Sequence, residues 1–289
     1  MLRAGGGLRA ALLLAPALAV IVLLFGGGLV DALLQSLGWL PAAGLRGLSL
    51  DAYRNLLGDP GFLHALLLTV YVASTATAIA TVLSVAIALR LRSSRSRWLL
   101  PVLQIPLTMP YLLAAAAVAL LLAQSGLVAR IAGALGFIDE PRDFPPLIND
   151  PWAVGIIFTY VWKEVPFVTL IVLASLRSVT DELEQAARTL GATPRQVLMH
   201  VTLPRIVPAV LIAAFLVFAF TFGAFEVPLL LGETWPQTLP VLAWNEYRSI
   251  DLADRPAAMA IAIVIALITG LLAAALLRLS KRWGKWGHS

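Results

Sequence analysis

The chain contains no cysteine, so neither a disulfide framework nor a cysteine-ligated metal site is open to it. Histidine is scarce. His64, His200 and His288 are scattered singly, which suits an interface or an exposed end better than metal ligation. Charged residues make up only 13% of the 289 positions, against about 25% in an ordinary soluble domain. No Gly-x4-Gly-Lys-Ser/Thr phosphate loop is present, because Gly284-Lys285 is followed by Trp286. No HExxH motif and no catalytic-triad spacing occurs. These absences leave no basis for ATP hydrolysis by the chain itself, and no cofactor, metal or catalytic residue is expected.

What the chain has is hydrophobic length. Apolar residues make up 60% and the mean hydropathy is +0.89. Several apolar runs are long enough to cross about 30 Å of hydrocarbon. Six qualify as spans: 8–30, 62–89, 99–123, 152–176, 206–231 and 257–279. The fold class expected is therefore an all-α membrane protein with six transmembrane helices. Ala17-Leu-Ala19 resembles a signal-peptide cleavage site, but the apolar run continues well past it, so an uncleaved first helix is expected. Residues 50–57 read as a short helix lying on the membrane surface. Pro101, Pro106 and Pro110 open the third run, and proline removes helix hydrogen bonds. That segment should be kinked or begin as a broken helix, which membranes tolerate where protein or a water-filled cavity covers it.

Basic residues set the orientation. An even number of spans puts both termini on one side. That side carries Arg3, Arg9, Arg90, Arg92, Arg95, Arg97, Arg177, Arg188, Arg195, Arg205, Arg278, Lys281, Arg282 and Lys285. The opposite loops carry only Arg46, Arg54, Arg130, Arg142, Arg248 and Arg255, together with ten acids. The positive-inside rule then places both termini, and the loop between the fourth and fifth spans, in the cytoplasm. The net charge of +5 and pI near 10 reflect this bias, so no nucleic-acid partner is expected.

That loop, residues 184–204 within a polar segment beginning at 181, is the most organised non-membrane stretch. Asp181 can cap a helix, and Glu184 three residues on completes a capping-box-like pattern. Leu183, Ala186, Ala187 and Leu190 recur at helical spacing and make one apolar face. Gly191 suits a left-handed C-terminal cap. Thr193 can cap a second helix with Pro194 at its first position. Val197, Leu198 and Val201 give that helix an apolar side, and Pro204 and Pro208 mark the return to the membrane. Two short helices joined at a glycine turn are expected. From the residues alone they could form a docking knob with small alanines at its contact face, or a plain interfacial helix lying on lipid.

The loop resembles the EAA loop of the inner-membrane permease subunits of bacterial binding-protein-dependent ABC importers. That pattern is Glu-Ala-Ala, three residues, Gly, nine residues, Ile, any residue, Leu-Pro. It falls here on Gln185, Ala186, Ala187, Gly191, Val201, Leu203 and Pro204. Gln185 replaces the acid, Val201 replaces isoleucine, and Glu184 stands one position early. The resemblance covers roughly residues 63–277 of a single permease domain, 1–289. It implies the type I importer permease fold, with coupling helices at 181–204 that fit a groove on an ATP-binding subunit. Glu184, Gln185, Ala186, Ala187, Leu190, Gly191, Val201, Leu203 and Pro204 would form the coupling element, and Gly191 would serve its turn. It also implies a second permease subunit, identical or paralogous, a periplasmic or lipid-anchored substrate-binding protein, and location in the bacterial cytoplasmic membrane, in contact with its lipid. The run 222–232 further resembles the branch that moves polyamines, ferric iron, thiamine or phosphonates.

Charges inside the spans are the remaining signal. Lys163 and Glu164 lie near the middle of the fourth run, where a charge costs about 2.5–3.5 kcal/mol. Adjacent helical residues point about 100° apart, so the two cannot both face a narrow pore squarely. Either a structural pairing with another helix or subunit, or a place on the translocation path, accounts for them. Glu226 lies toward the outer end of the fifth run, beside a stripe of Phe215, Phe218, Phe222 and Phe225. That stripe serves either packing or a gate. In the family resembled, the fifth helix lines the path, which makes Phe222 and Glu226 candidates for it. Two other functional classes remain: an ion-coupled secondary transporter using Lys163, Glu164 and Glu226, and a membrane scaffold that uses the loop only to recruit a partner.

Overall fold

The computed structural model describes residues 4–92, 98–178 and 181–284, with side chains at 13–92, 98–177 and 183–278. Among the described residues, six helices are long and apolar enough to cross a membrane: Leu13–Ser36, Pro60–Arg92, Tyr111–Ala134, Val154–Arg177, Pro194–Gly223 and Leu252–Arg278. They are called spans 1 to 6 below. Among the described residues no β-strand forms, and one isolated bridge joins Leu40 and Leu45. Arg3, Arg95, Arg97, Lys285 and His288, and the side chains of Arg9, Asp181, Lys281 and Arg282, lie outside the described set.

The chain divides into two compact units. One comprises Met1–Leu63 and Leu242–Leu267, the other His64–Val241 and Ile268–Ser289. In the first unit the surface helix is present as Asp51–Gly58. The Tyr53 hydroxyl lies 2.7 Å from the Ser36 hydroxyl at the end of span 1. A cavity of about 660 Å³ opens among Arg46, Asp51, Asn55, Asp59, Glu246 and Asp254.

The second unit is built on close helix contacts. The inward side of span 2 is a stripe of small residues: Ala65, Thr69, Ala73, Ala76, Ala80, Ser84 and Ala88 are all buried. Small residues let membrane helices approach, where packing rather than hydrophobicity drives association. The Ser84 hydroxyl lies within hydrogen-bonding distance of the Val165 carbonyl, at 3.0 Å, linking spans 2 and 4. Two apolar clusters follow. One gathers Val72, Ala115, Val118, Ile156, Tyr160, Val227 and Leu231. The other gathers Ala88, Val168, Val172, Leu176, Ile206, Ala213 and Val217. Span 4 starts at a buried cap that sequence reading missed. Asp150 accepts hydrogen bonds from the Trp152 and Val154 amides.

One expectation is met and one needs correction. The third run begins as a broken helix, as its prolines lead one to expect. A helix at Leu99–Gln104 gives way to a 3-10 turn at Ile105–Thr108, and span 3 restarts at Tyr111. The break falls at the prolines, as their missing donors require. The second loop helix is not a separate piece. It begins at Pro194 and continues through a π-helical turn at Leu198–Thr202 into span 5. The wider turn accommodates the Pro204 ring, so the helix does not stop at the re-entry proline.

Candidate functional site

The 184–204 loop folds as its punctuation demands. Its first helix is Asp181–Thr189. Gly191 follows with φ of +87°. The Gly191 amide donates to the Arg188 carbonyl and the Ala192 amide to the Ala187 carbonyl. That pair of bonds is the Schellman arrangement, which needs a left-handed residue at this point. The next helix is capped reciprocally. The Gln196 amide donates to the Thr193 hydroxyl, and the Thr193 amide donates to the Gln196 side chain.

The two helices expose different faces. On the first, Leu183, Gln185 and Ala186 are exposed, Ala187 is half-buried, and Leu190 is 89% exposed. Its apolar face is therefore uncovered within this chain. On the second, Val197 is buried at 3% exposure, while Val201 and Leu203 are half-buried and Pro204 is exposed. That helix turns its apolar side inward.

The capping pattern expected of Asp181 and Glu184 involves an Asp181 side chain outside the described residues, but Glu184 itself has partners on other elements. It is 6% exposed. The Arg92 guanidinium, at the last residue of span 2, grips both carboxylate oxygens at 2.7 and 2.5 Å. The Thr202 hydroxyl donates to the same carboxylate at 2.7 Å. Hydrogen bonding from Arg92 holds the Glu184 carboxyl below its ordinary value, with Thr202 and the Arg188 charge adding to the effect against the cost of burial.

The charges within span 4 are bound inside the chain. Lys163 is 3% exposed and Glu164 is 5% exposed. The Lys163 ammonium donates to the Pro106 carbonyl at 2.7 Å and the Met109 carbonyl at 2.5 Å, both in the break of the third run. It also lies 4.5 Å from the Tyr111 ring centre. The Tyr111 hydroxyl donates to Glu164 at 2.5 Å. The adjacent pair thus holds the two sides of the break: Lys163 the carbonyls before it, Glu164 the residue that restarts the helix. Both charges have partners within this chain.

Phe222 is fully buried and stacks on Phe218, with ring centres 5.5 Å apart. Within this chain it is surrounded by packed side chains. Span 5 ends at Gly223, and Glu226 opens a six-residue helix, Glu226–Leu231. Glu226 is half-exposed and makes no hydrogen bond or ion pair among the described residues. Among those residues no cluster of histidines and acids suits a metal ion.

Residues 80–283 match the profile of the family described as binding-protein-dependent transport system inner membrane component. The chain belongs to this family. Similar proteins are named as transport-system permeases. A probable ABC transporter permease protein of Sinorhizobium fredii, y4oQ, is 30% identical over 269 residues, covering 87% of this chain and 84% of that one. The molybdenum transport system permease protein ModB of Mycobacterium tuberculosis is 28% identical over 222 residues, covering 75% of this chain and 79% of that one. The fold is that of a bacterial alginate ABC transporter crystallised with a periplasmic protein bound to an alginate pentasaccharide. The TM-score is 0.77 at 20% identity, with 95% of this chain and 94% of that one covered.

This permease is thus a multi-pass inner-membrane protein and the membrane subunit of an ABC importer. Subunits of this kind are generally non-catalytic. Nothing in the family, the relatives or the fold supports an ion-coupled carrier.

Proposed function

We propose that the 184–204 loop docks an ATP-binding subunit and passes its movement to the spans. The observation that carries this reading is the uncovered apolar face of Leu183, Ala186 and Leu190, on a helix fixed at its end by Gly191. An exposed apolar patch on an otherwise polar loop marks a contact surface. The permease lacks a phosphate-binding loop, so the energy comes from that partner. It pairs with a second permease subunit, receives its solute from a binding protein on the opposite face, and alternates between inward-open and outward-open states. The basic bias of the loops supports cytoplasmic termini and a cytoplasmic docking loop. Glu226 supplies a polar group on the path, since an acid within the apolar region is expected to be wet or partnered.

Ala186→Asp tests the docking reading. Ala186 is exposed, so the substitution leaves the chain's own packing intact but buries an unpaired charge in the complex. The ATP-binding subunit should be lost from the detergent-purified permease, with at least about tenfold weaker retention for each 1.4 kcal/mol of penalty. Unchanged retention would show that the face lies on lipid instead.

A further inference from the structure

Arg92, Glu184 and Thr202 come from three separate elements: the end of span 2, the first loop helix and the π turn that leads into span 5. Their side chains meet at one nearly buried carboxylate. The loop helix turns its apolar face outward, so its opposite, inward face must hold it to the membrane helices. Glu184 provides that hold. The Arg92 fork fixes both carboxylate oxygens in a plane, which a single hydrogen bond does not. The Thr202 hydroxyl takes a further lone pair from the span 5 side.

We propose that Arg92 is a positioning residue for coupling, which with Thr202 locks Glu184 so that the loop helix, span 2 and the start of span 5 move together. Displacing the loop helix alone would break the Arg92 fork and the Thr202 bond together, whereas shifting the three elements as one keeps all of them. The lock has no pH release in the neutral range, because the same bonds hold Glu184 ionised. A cavity of about 260 Å³ lies beside it among Leu89, Arg188, Pro194 and Leu198. That space lets the helices tilt around the lock without compressing the side chains. The proposal rests on the docking reading above and adds the residues that transmit the movement.

The test uses the complete complex: permease, ATP-binding subunits, and the binding protein carrying whatever solute it is purified with. The readouts are subunit retention and ATP hydrolysis with and without the binding protein. Arg92→Ala should retain the ATP-binding subunits, because Arg92 is not on the exposed face. Hydrolysis should no longer respond to the binding protein, so that the two rates become equal. Arg92→Lys keeps the charge without the fork and should restore part of the response. Thr202→Val removes one bond and no charge, and should reduce the response less than Arg92→Ala. A merely structural bridge would lower the thermal midpoint but leave the response of the assembled complex unchanged. An unchanged response in both Arg92→Ala and Thr202→Val overturns the proposal. Full retention of the ATP-binding subunit by Ala186→Asp overturns the docking reading instead.

Discussion

The ammonium of Lys163, in span 4, lies 2.7 Å from the carbonyl of Pro106, in the break that precedes span 3. Prolines leave carbonyls without helical donors, and inside a membrane no water is at hand to satisfy them. A buried lysine from the neighbouring helix does so. Lys163→Met keeps the length and removes the donors. The Pro106 carbonyl keeps the Met109 amide at 3.3 Å, so the Met109 carbonyl is the one that loses its donor. This should destabilise the permease by about 1–3 kcal/mol, read as a lowered thermal midpoint in detergent. Stability equal to that of the unsubstituted chain would mean that the break needs no clamp.

Gly191→Val should uncouple hydrolysis from transport. A Cβ at this position meets nothing within 4 Å. The cost is therefore conformational, at least about 1 kcal/mol for a β-branched residue at positive φ. Asn, which tolerates the left-handed region better, should be milder. The check is the response of ATP hydrolysis to the binding protein in the reconstituted complex. A normal response in the valine variant would show that the turn is not part of the coupling element.

Much of this was legible in the sequence, for reasons that can be located. The spans were readable because a bilayer demands length and apolarity, both local properties. Gly191 and Thr193 were readable because caps act within a few residues. Asp150 was missed although a buried aspartate two and four residues before capped amides is also a local signal. The partners of Lys163 were not readable, since Pro106 and Met109 lie in the break of the third run, more than fifty residues away. The Arg92 partner of Glu184 was unreadable for the same reason: it lies ninety-two residues upstream, at the end of span 2. Pro204 misled: a π turn absorbed its ring, and no residue pattern announces such a turn.

Glu246 makes a pH prediction for the first unit. Burial, followed by the negative charges of Asp254 and Asp59, raises its carboxyl above the ordinary 4.5. The folded state thus keeps a proton that the unfolded chain has released. Stability is full below the ordinary value and is lost as pH rises through the raised one. Glu246→Gln should raise the thermal midpoint at neutral pH and flatten its dependence on pH between 4.5 and neutrality. A midpoint that falls at neutral pH would show that the ionised carboxylate has a favourable partner.

Glu226 should report the path. A single cysteine replacing Glu226 in this cysteine-free chain should react with a charged thiol reagent. Its reactivity should differ between nucleotide-free and ATP-trapped complexes. Absence of labelling in both states, with normal transport by Glu226→Gln, would reduce Glu226 to a packing residue.

The central claim is that the exposed face of the 181–189 helix is covered by an ATP-binding subunit. Leu190 is the most exposed large side chain of that helix's end. A photoactivatable cross-linker on Leu190→Cys, irradiated in native membranes, tests the claim directly. A cross-link to an ATP-binding subunit, abolished by Ala186→Asp in the same chain, is the predicted result. Cross-linking only to lipid or to the permease itself would contradict the account.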